Sequence, residues 1–289
     1  MIATDIRVPE PVPDLTAPRR SFRWPGVLVA ALVLAVIVAM AILPDLFTGA
    51  SPTATDMRQA LEAPGPGHWF GTDQLGRDVF TRVVYGTRPA LLLGVLATAL
   101  AVAAGVLVGL LAALGGRIAD QLLMRGADVL LALPALLLAL LVIAVLGEGT
   151  VNVAVAVAVA FVPLYARLVR AEALVVRNSG YVESAIGLGL PRRTVVYRHV
   201  VPNALGPVLV MAPVGFGTSL LYASALSFLG LGPQPPTADW GAMLSEGKDV
   251  LAAAWWVGVF PGVAVTGTVI AVNIVGRRLR TNVTGRGAE

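Results

Sequence analysis

Residues 178–205 read NSGYVESAIGLGLPRRTVVYRHVVPNAL. The segment lies between two long apolar runs. Yet it carries Glu183, Arg192, Arg193, Arg198 and His199, broken by Gly187, Gly189, Pro191 and Pro202. Hydrocarbon offers no partner to charge at that density, so the segment belongs in water or against another protein. Its local signals describe a short helix, a tight bend and a return to the apolar phase. Asn178 or Ser179 can cap a helix beginning near Tyr181. Glu183 in its first turn suits the positive end of the helix dipole. Gly187 or Gly189 can end it, Pro191 suits the first turn of a second helix, and the chain re-enters the membrane at Pro202. The plain alternative is a solvated loop with no partner.

The surrounding composition makes lipid the solvent. Of 289 residues, 57% are hydrophobic and 13% charged, against about half and about a quarter in soluble domains. Five apolar runs, at 90–114, 129–146, 151–169, 205–231 and 255–275, are each near the length a helix needs to cross about 30 Å of hydrocarbon. A sixth, 27–43, follows Arg19, Arg20 and Arg23. A signal peptide competes for that run, but a secretory apolar core is about 7–15 residues, and an anchor fits better. A barrel would show short alternating strands instead. Pro134, Pro163, Pro213 and Pro261 fall within or at the margins of spans, where each removes a backbone donor.

Six spans with the N-terminus in the cytoplasm put sixteen of the 21 Lys and Arg on the cytoplasmic side and five outside. Both termini and residues 178–205 are then cytoplasmic. The expected layout is a cytoplasmic tail at 1–23, a first transmembrane helix at 24–47 and an external segment at 48–88. A five-helix core at 89–280, with a polar loop at 172–204, precedes a cytoplasmic tail at 281–289. In the external segment Leu75, Val79, Phe80 and Val83 recur at helical spacing, which predicts an interfacial helix.

Several chemistries are excluded or unmarked. There is no Cys, so disulfides and thiolate metal sites are out. His68 and His199 are far apart and neither sits in a nucleophile–base motif. His68 and Asp73 alone do not make a metal site. The basic pI near 9.9 reflects Arg clusters beside apolar runs rather than a nucleic-acid surface. The sole Lys, Lys248, stands in GAMLSEGKD, with five residues between Gly241 and Gly247 and Asp249 after the Lys. A phosphate-binding loop needs four, and then Ser or Thr. The chain cannot power itself by that route.

The loop also carries a family resemblance. It is similar to the EAA motif of ABC importer permeases: Glu-Ala-Ala, three residues, Gly, nine residues, Ile, one residue, Leu-Pro. Glu183, Ser184 and Ala185 take the first places, Gly189 the Gly, His199 the Ile and Val201-Pro202 the last pair. The spacing matches throughout; Ser184, His199 and Val201 depart in type. RHVVPNALGP resembles the run in the dipeptide, oligopeptide and nickel permease group, where His is usual. Residues 71–88, 128–140 and 224–244 resemble its C-type permease, and the likeness extends over 70–280.

That resemblance implies an all-α membrane protein with six transmembrane helices, the ABC type I importer permease fold and a cytoplasmic coupling helix. The helix would dock on an ATPase subunit through Tyr181, Glu183, Ser184, Ala185, Gly189, Arg192, Arg193, Arg198, His199 and Pro202, with Glu183 and the small face of Ala185 and Gly189 giving shape. Implied partners are a second homologous, B-type permease, two ABC ATPase domains, an external substrate-binding protein and the lipid bilayer of the bacterial inner membrane, with no nucleic acid. ATP and Mg would be held by the partner subunits, and no catalytic, cofactor or metal residue is assigned here. Di- or oligopeptides lead as cargo, ahead of nickel chelates and other small solutes. Asp73, Arg77, Asp78 and Trp240 could form the external face that receives the binding protein, or could hold the external segment together by ion pairs. Asn152, Ser219, Tyr222, Ser224 and Asn273 are candidate pathway residues, although most such groups bond between helices. A stand-alone ion-coupled transporter would predict ionisable residues deep in the spans and inverted repeats, and neither is visible. A membrane scaffold would have no use for the coupling motif.

Overall fold

A computed structural model describes residues 24–284, with backbone alone at 24–25 and 279–284. The tail at 1–23, with Arg7, Arg19, Arg20 and Arg23, and residues 285–289, with Arg286, lie outside the described residues. The described chain is almost wholly helical. Its helices are α1 (Trp24–Ile42), α2 (Val79–Leu114), α3 (Gly116–Leu131), α4 (Ala135–Leu146), α5 (Thr150–Arg177), α6 (Gly180–Gly187), α7 (Arg192–Val195), α8 (Val201–Phe228), α9 (Trp240–Asp249) and α10 (Trp256–Thr284). A π turn at Val196–Val200 joins α7 to α8.

α2 is the axis of the bundle. At 36 residues it is about 54 Å long, well beyond a hydrocarbon core of about 30 Å. It packs chiefly along α5 and also against α8, while α10 lies on α8 and α9, and α1 rests on α10 and α2. Four apolar clusters follow one another along α2, beginning at Val79, Val83 and Ala90 and passing to Leu93 and Ala97. The third includes Ala101 and the fourth Ala113. Small residues set the close approach. A Cβ on Gly105 would stand 2.4 Å from the Tyr165 Cβ, and one on Gly109 would stand 2.6 Å from the Ala166 oxygen. Without a hydrophobic drive between spans in lipid, such close packing is what holds helices together.

One of the six expected spans is bent, not a single straight helix. Among the described residues four helices are long and apolar enough to cross a membrane, and α1 contributes a shorter apolar stretch, Gly26–Ile42. The predicted span at 129–146 is instead part of a bent pair, α3 and α4, turned by 99°. Pro134 stands at the N-cap of α4; it lacks an N–H and disfavours helical backbone in the residue before it.

Two other boundaries move. The helical pattern at 75–83 is not a separate interfacial helix. Asp78 caps α2 by accepting from the Thr81 N–H at 2.7 Å, so Val79 and Val83 are buried in the first turns of the span and Leu75 stays in the loop before it. The polar loop predicted at 172–204 is also shorter, because α5 continues to Arg177 and residues Arg192–Phe228 form one continuous helical rod.

Candidate functional site

α6 is eight residues long, too short to be stable alone in water. Packing holds it. Val182 and Ala185 are buried against Ala113 of α2, Ala173 of α5, and Val195, Val200 and Ala204 of the rod that follows. The helix is thus seated on the ends of three long helices at once. Ser179 takes the N-cap position, but its hydroxyl donates to the Val176 carbonyl, and the Val182 and Glu183 N–H groups bond to the Ser179 carbonyl. Glu183 lies exposed in the first turn, where the helix dipole favours it.

The two faces of α6 differ from the expected arrangement. Ala185 faces the bundle, not outward, because it is spaced three residues from Val182 on the packed stripe. The outward side carries Tyr181, Glu183, Ser184, Ile186 and Gly187, followed by Leu188. Gly189 has φ +82° and open space around its Cβ direction, so its role is to turn the backbone. Arg192, Arg193, Arg198 and Pro202 are exposed, and His199 is half-buried with its ring 6.1 Å from that of Tyr181. Beside α6 a groove of about 750 Å³ is lined by Arg177, Glu183, Arg192, Arg193 and Tyr197, with Leu114, Val182 and Val200 among its apolar walls. Asn203 is a residue that reading of the motif missed. Its Nδ2 donates to the Tyr181 hydroxyl at 3.2 Å and to the His199 carbonyl at 2.6 Å.

The opposite end of the bundle is closed by residues 43–78 and 229–255. Asp73, Arg77 and Trp240 do not form an outward face there; all three are buried. Arg77 Nε donates to Asp73 at 2.6 Å, Arg82 also donates to Asp73, and Arg77 and Arg82 reach Glu246 at 3.0 and 2.6 Å. Asp73 further accepts from the Leu75 and Arg77 N–H groups at 2.8 and 3.0 Å. Trp240 Nε1 donates to the Val83 carbonyl at 2.9 Å, and Trp256 Nε1 donates to that of Thr72 at 3.0 Å. Gly76, at φ +72°, lets the loop close on itself: a Cβ there would lie 1.7 Å from the Asp56 oxygen. Asp78 is half-buried, capping α2 and bonding His68 at 2.9 Å. These residues brace the cap. The signal that separates the two roles is the density of paired opposite charges beside two Trp residues, with Glu246 as the unrecognised partner.

Of the expected pathway residues, Asn152 binds the carbonyls of Leu146, Gly147 and Glu148, closing the end of α4. Asn273 donates to the Val269 carbonyl on its own helix and lies against Gly217. Ser219 and Ser224 are buried, and Tyr222 is half-buried with its ring edge-on to Phe161. The structure does not bring the five together at one site. No group of His, Asp and Glu able to hold a metal occurs among the described residues.

Comparison with known proteins agrees with this architecture. Residues 105–286 match the family model described as binding-protein-dependent transport system inner membrane component. The chain is 38% identical to a dipeptide transport system permease of Alkalihalophilus pseudofirmus, over 88% of this chain and 83% of the relative. It is 39% identical to a glutathione transport system permease of Pectobacterium atrosepticum, over 91% and 87%. Among solved structures, an amino acid ABC transporter superposes with a TM-score of 0.57 at 16% identity, covering 70% of this chain and 94% of that one. The fold is shared at a level where sequence no longer speaks. The chain belongs to the binding-protein-dependent transport system inner membrane component family, the permease subunits of ABC importers.

Proposed function

We propose that the chain forms half of the translocation pathway of a peptide importer, and that α6 is the helix through which an ATPase partner drives it. The observation that carries the reading is the outward side of α6 and its flanks. Ile186 is 51% exposed, Leu188 84% and Tyr197 76%. Ile186 and Tyr197 line a groove edged by Arg177, Arg192 and Arg193, and Leu188 follows two residues after Ile186, at an end of the bundle where charged residues mark water rather than lipid. Apolar groups gathered there, rimmed by charge, are the composition of a protein interface. The basic residues near α6 and at the end of α10 support a cytoplasmic placement of that end, with the cap outside.

The relatives named for dipeptide, peptide and glutathione transport support a peptide as cargo. A second permease would complete the pathway, an external binding protein would deliver the peptide to the cap, and two ATPase domains would hold ATP and Mg. ATP-driven closure of those domains is a rigid-body motion; it shifts the membrane part only if their contacts with α6 differ between the two states. The chain's own groups then act by shape and position. Val182 and Ala185 fix α6 to the bundle, and Leu188 and Ile186 meet the partner. The test is co-expression with the ATPase and second permease subunits of the same transporter. Leu188→Asp is expected to leave the chain folded in the membrane and to abolish recovery of the ATPase. Undiminished recovery, with normal substrate-stimulated ATPase activity, would refute the docking role. The ligand retained by the purified binding protein then decides the cargo.

A further inference from the structure

The covalent link from α6 to α8 is poorly suited to carrying a push. Gly189 turns it at φ +82°, α7 is a single turn, and Val196–Val200 form a π turn in which the Val201 N–H bonds to the Val196 carbonyl. The π turn has a cause in the sequence. Pro202 has no N–H to offer the Arg198 carbonyl, and its ring would crowd that carbonyl in a regular α ladder. An inserted residue relieves the crowding and interrupts the ladder's regular bonds. If α6 moved, bending at Gly189 and at the π turn could absorb the displacement before it reached α8.

A second route bypasses this link. The Asn203 amide reaches back from the first turn of α8 to two groups: the Tyr181 hydroxyl on α6, at 3.2 Å, and the His199 carbonyl inside the π turn, at 2.6 Å. One planar group therefore spans the driven helix, the compliant turn and the start of the long rod. The aromatic ring of Tyr181 faces the His199 imidazole across the same gap. Beneath them the Val182–Val200–Ala204 packing supplies a pivot.

We propose that Asn203 is a positioning residue, whose side-chain amide ties Tyr181 of α6 to the π turn and to α8. Displacement of α6 then reaches α8 instead of being taken up between Gly189 and Val200. This deepens the reading of α6 as the ATPase-docking helix and rests on it. Tyr181 and Asn203 are both exposed, so their hydrogen bond adds little to folding. Its work is to hold a geometry.

The experiment uses the whole transporter, reconstituted in liposomes with its peptide-loaded binding protein. The readout is the ratio of stimulated to unstimulated ATPase activity, with ATPase recovery and melting temperature measured on the same preparations. Asn203→Ala and Tyr181→Phe are each expected to lower the ratio by about fivefold or more, the lower end of typical coupling between sites. The double variant is expected to be no lower than the worse single one, because both remove one tie. Asn203→Asp, whose carboxylate can accept from the Tyr181 hydroxyl but cannot donate to the His199 carbonyl, is expected to lower the ratio less than Asn203→Ala does, and to lose that advantage when combined with Tyr181→Phe. Single variants that keep the ratio within about twofold would overturn the inference, as would losses that multiply in the double variant. If the unaltered chain recovers no ATPase, the docking reading fails and takes this inference with it. If it recovers ATPase and the two singles behave as wild type, only the inference fails.

Discussion

Asp73→Ala should be among the most damaging single changes outside the apolar core. Asp73 is 1% exposed and is shared by two guanidinium groups, those of Arg77 and Arg82, whose side chains are 10% and 2% exposed. Removing it leaves both arginines buried with Glu246 as their one remaining carboxylate among the described residues, and Glu246 is itself 28% exposed. Breaking a buried ion pair from one side costs about 3–5 kcal/mol, since a buried charge is left uncompensated. Two backbone donors, Leu75 N–H and Arg77 N–H, also lose their acceptor, at about 1 kcal/mol or more each. A combined loss of about 5–7 kcal/mol, at about 2 °C per kcal/mol for a chain of this size, lowers the melting temperature by roughly 10–14 °C. The comparison is Asp128→Ala, which breaks the Arg167 pair between α3 and α5 where both side chains are about half exposed. That pair is of the kind worth about 1 kcal/mol or less, so its melting shift should be roughly 2 °C or smaller. Thermal unfolding of the detergent-solubilised protein, followed by loss of monodisperse material, measures both. Equal shifts would refute the claim that the cap network is buried bracing and would restore Asp73 to the list of surface contacts.

Other changes test separate parts of the structure. Gly105→Leu forces a side chain into the Tyr165 backbone and Cβ, 2.4 Å from where its own Cβ would be, and should destabilise by about 1–3 kcal/mol or more, read as reduced folded yield. Asn152→Ala removes the amide that binds three carbonyls at the end of α4. It should cost about 1 kcal/mol in melting while leaving the transport rate per folded complex unchanged; a selective loss of transport would return Asn152 to the pathway. Gly189→Ala should weaken ATPase recovery although the site has room for a methyl group, because φ +82° is strained for any L residue. Normal recovery would show that the bend tolerates a change of backbone conformation.

The helical spans were legible because their signal is local: runs of about 20 apolar residues have few alternatives. The short helix α6 was legible for a second reason. Glu183, Gly189, Pro191 and Pro202 each impose a backbone requirement within a turn of their own position, so their spacing fixes a shape without reference to the rest of the molecule. Both kinds of information failed at the margins. Hydropathy placed the start of the second span at Ala90, but α2 begins at Val79. The intervening Arg82 is tolerated inside the helix because Asp73 and Glu246 reach it from elsewhere, and hydropathy treats each charge as unpaired. For the same reason the sequence left Asp73, Arg77 and Trp240 open between an outer face and ion pairs that hold the external segment, and burial and pairing favour the second.

What decides such cases is where the opposite charge lies, and that is a tertiary fact. Arg82 and Glu246 are 164 residues apart, so no window along the chain could pair them. Once paired, polar groups cease to mark a surface and begin to mark a joint. The network joins the 61–78 loop, the head of α2 and α9, and the two indole N–H groups add ties from α9 to α2 and from α10 to the loop. At the other end α6 meets α2, α5 and α8 mostly through Ala and Val, with the polar Asn203 tie on its rim. The contrast follows from what each end must satisfy. The cap contains irregular backbone that needs fixed partners for its N–H and C=O groups, and a buried ionic lattice supplies them. At the α6 end the irregular backbone is confined to the Gly189 bend and the π turn, and most backbone groups pair within their own helices, so small apolar contacts suffice to seat α6 and leave its outer side chains exposed.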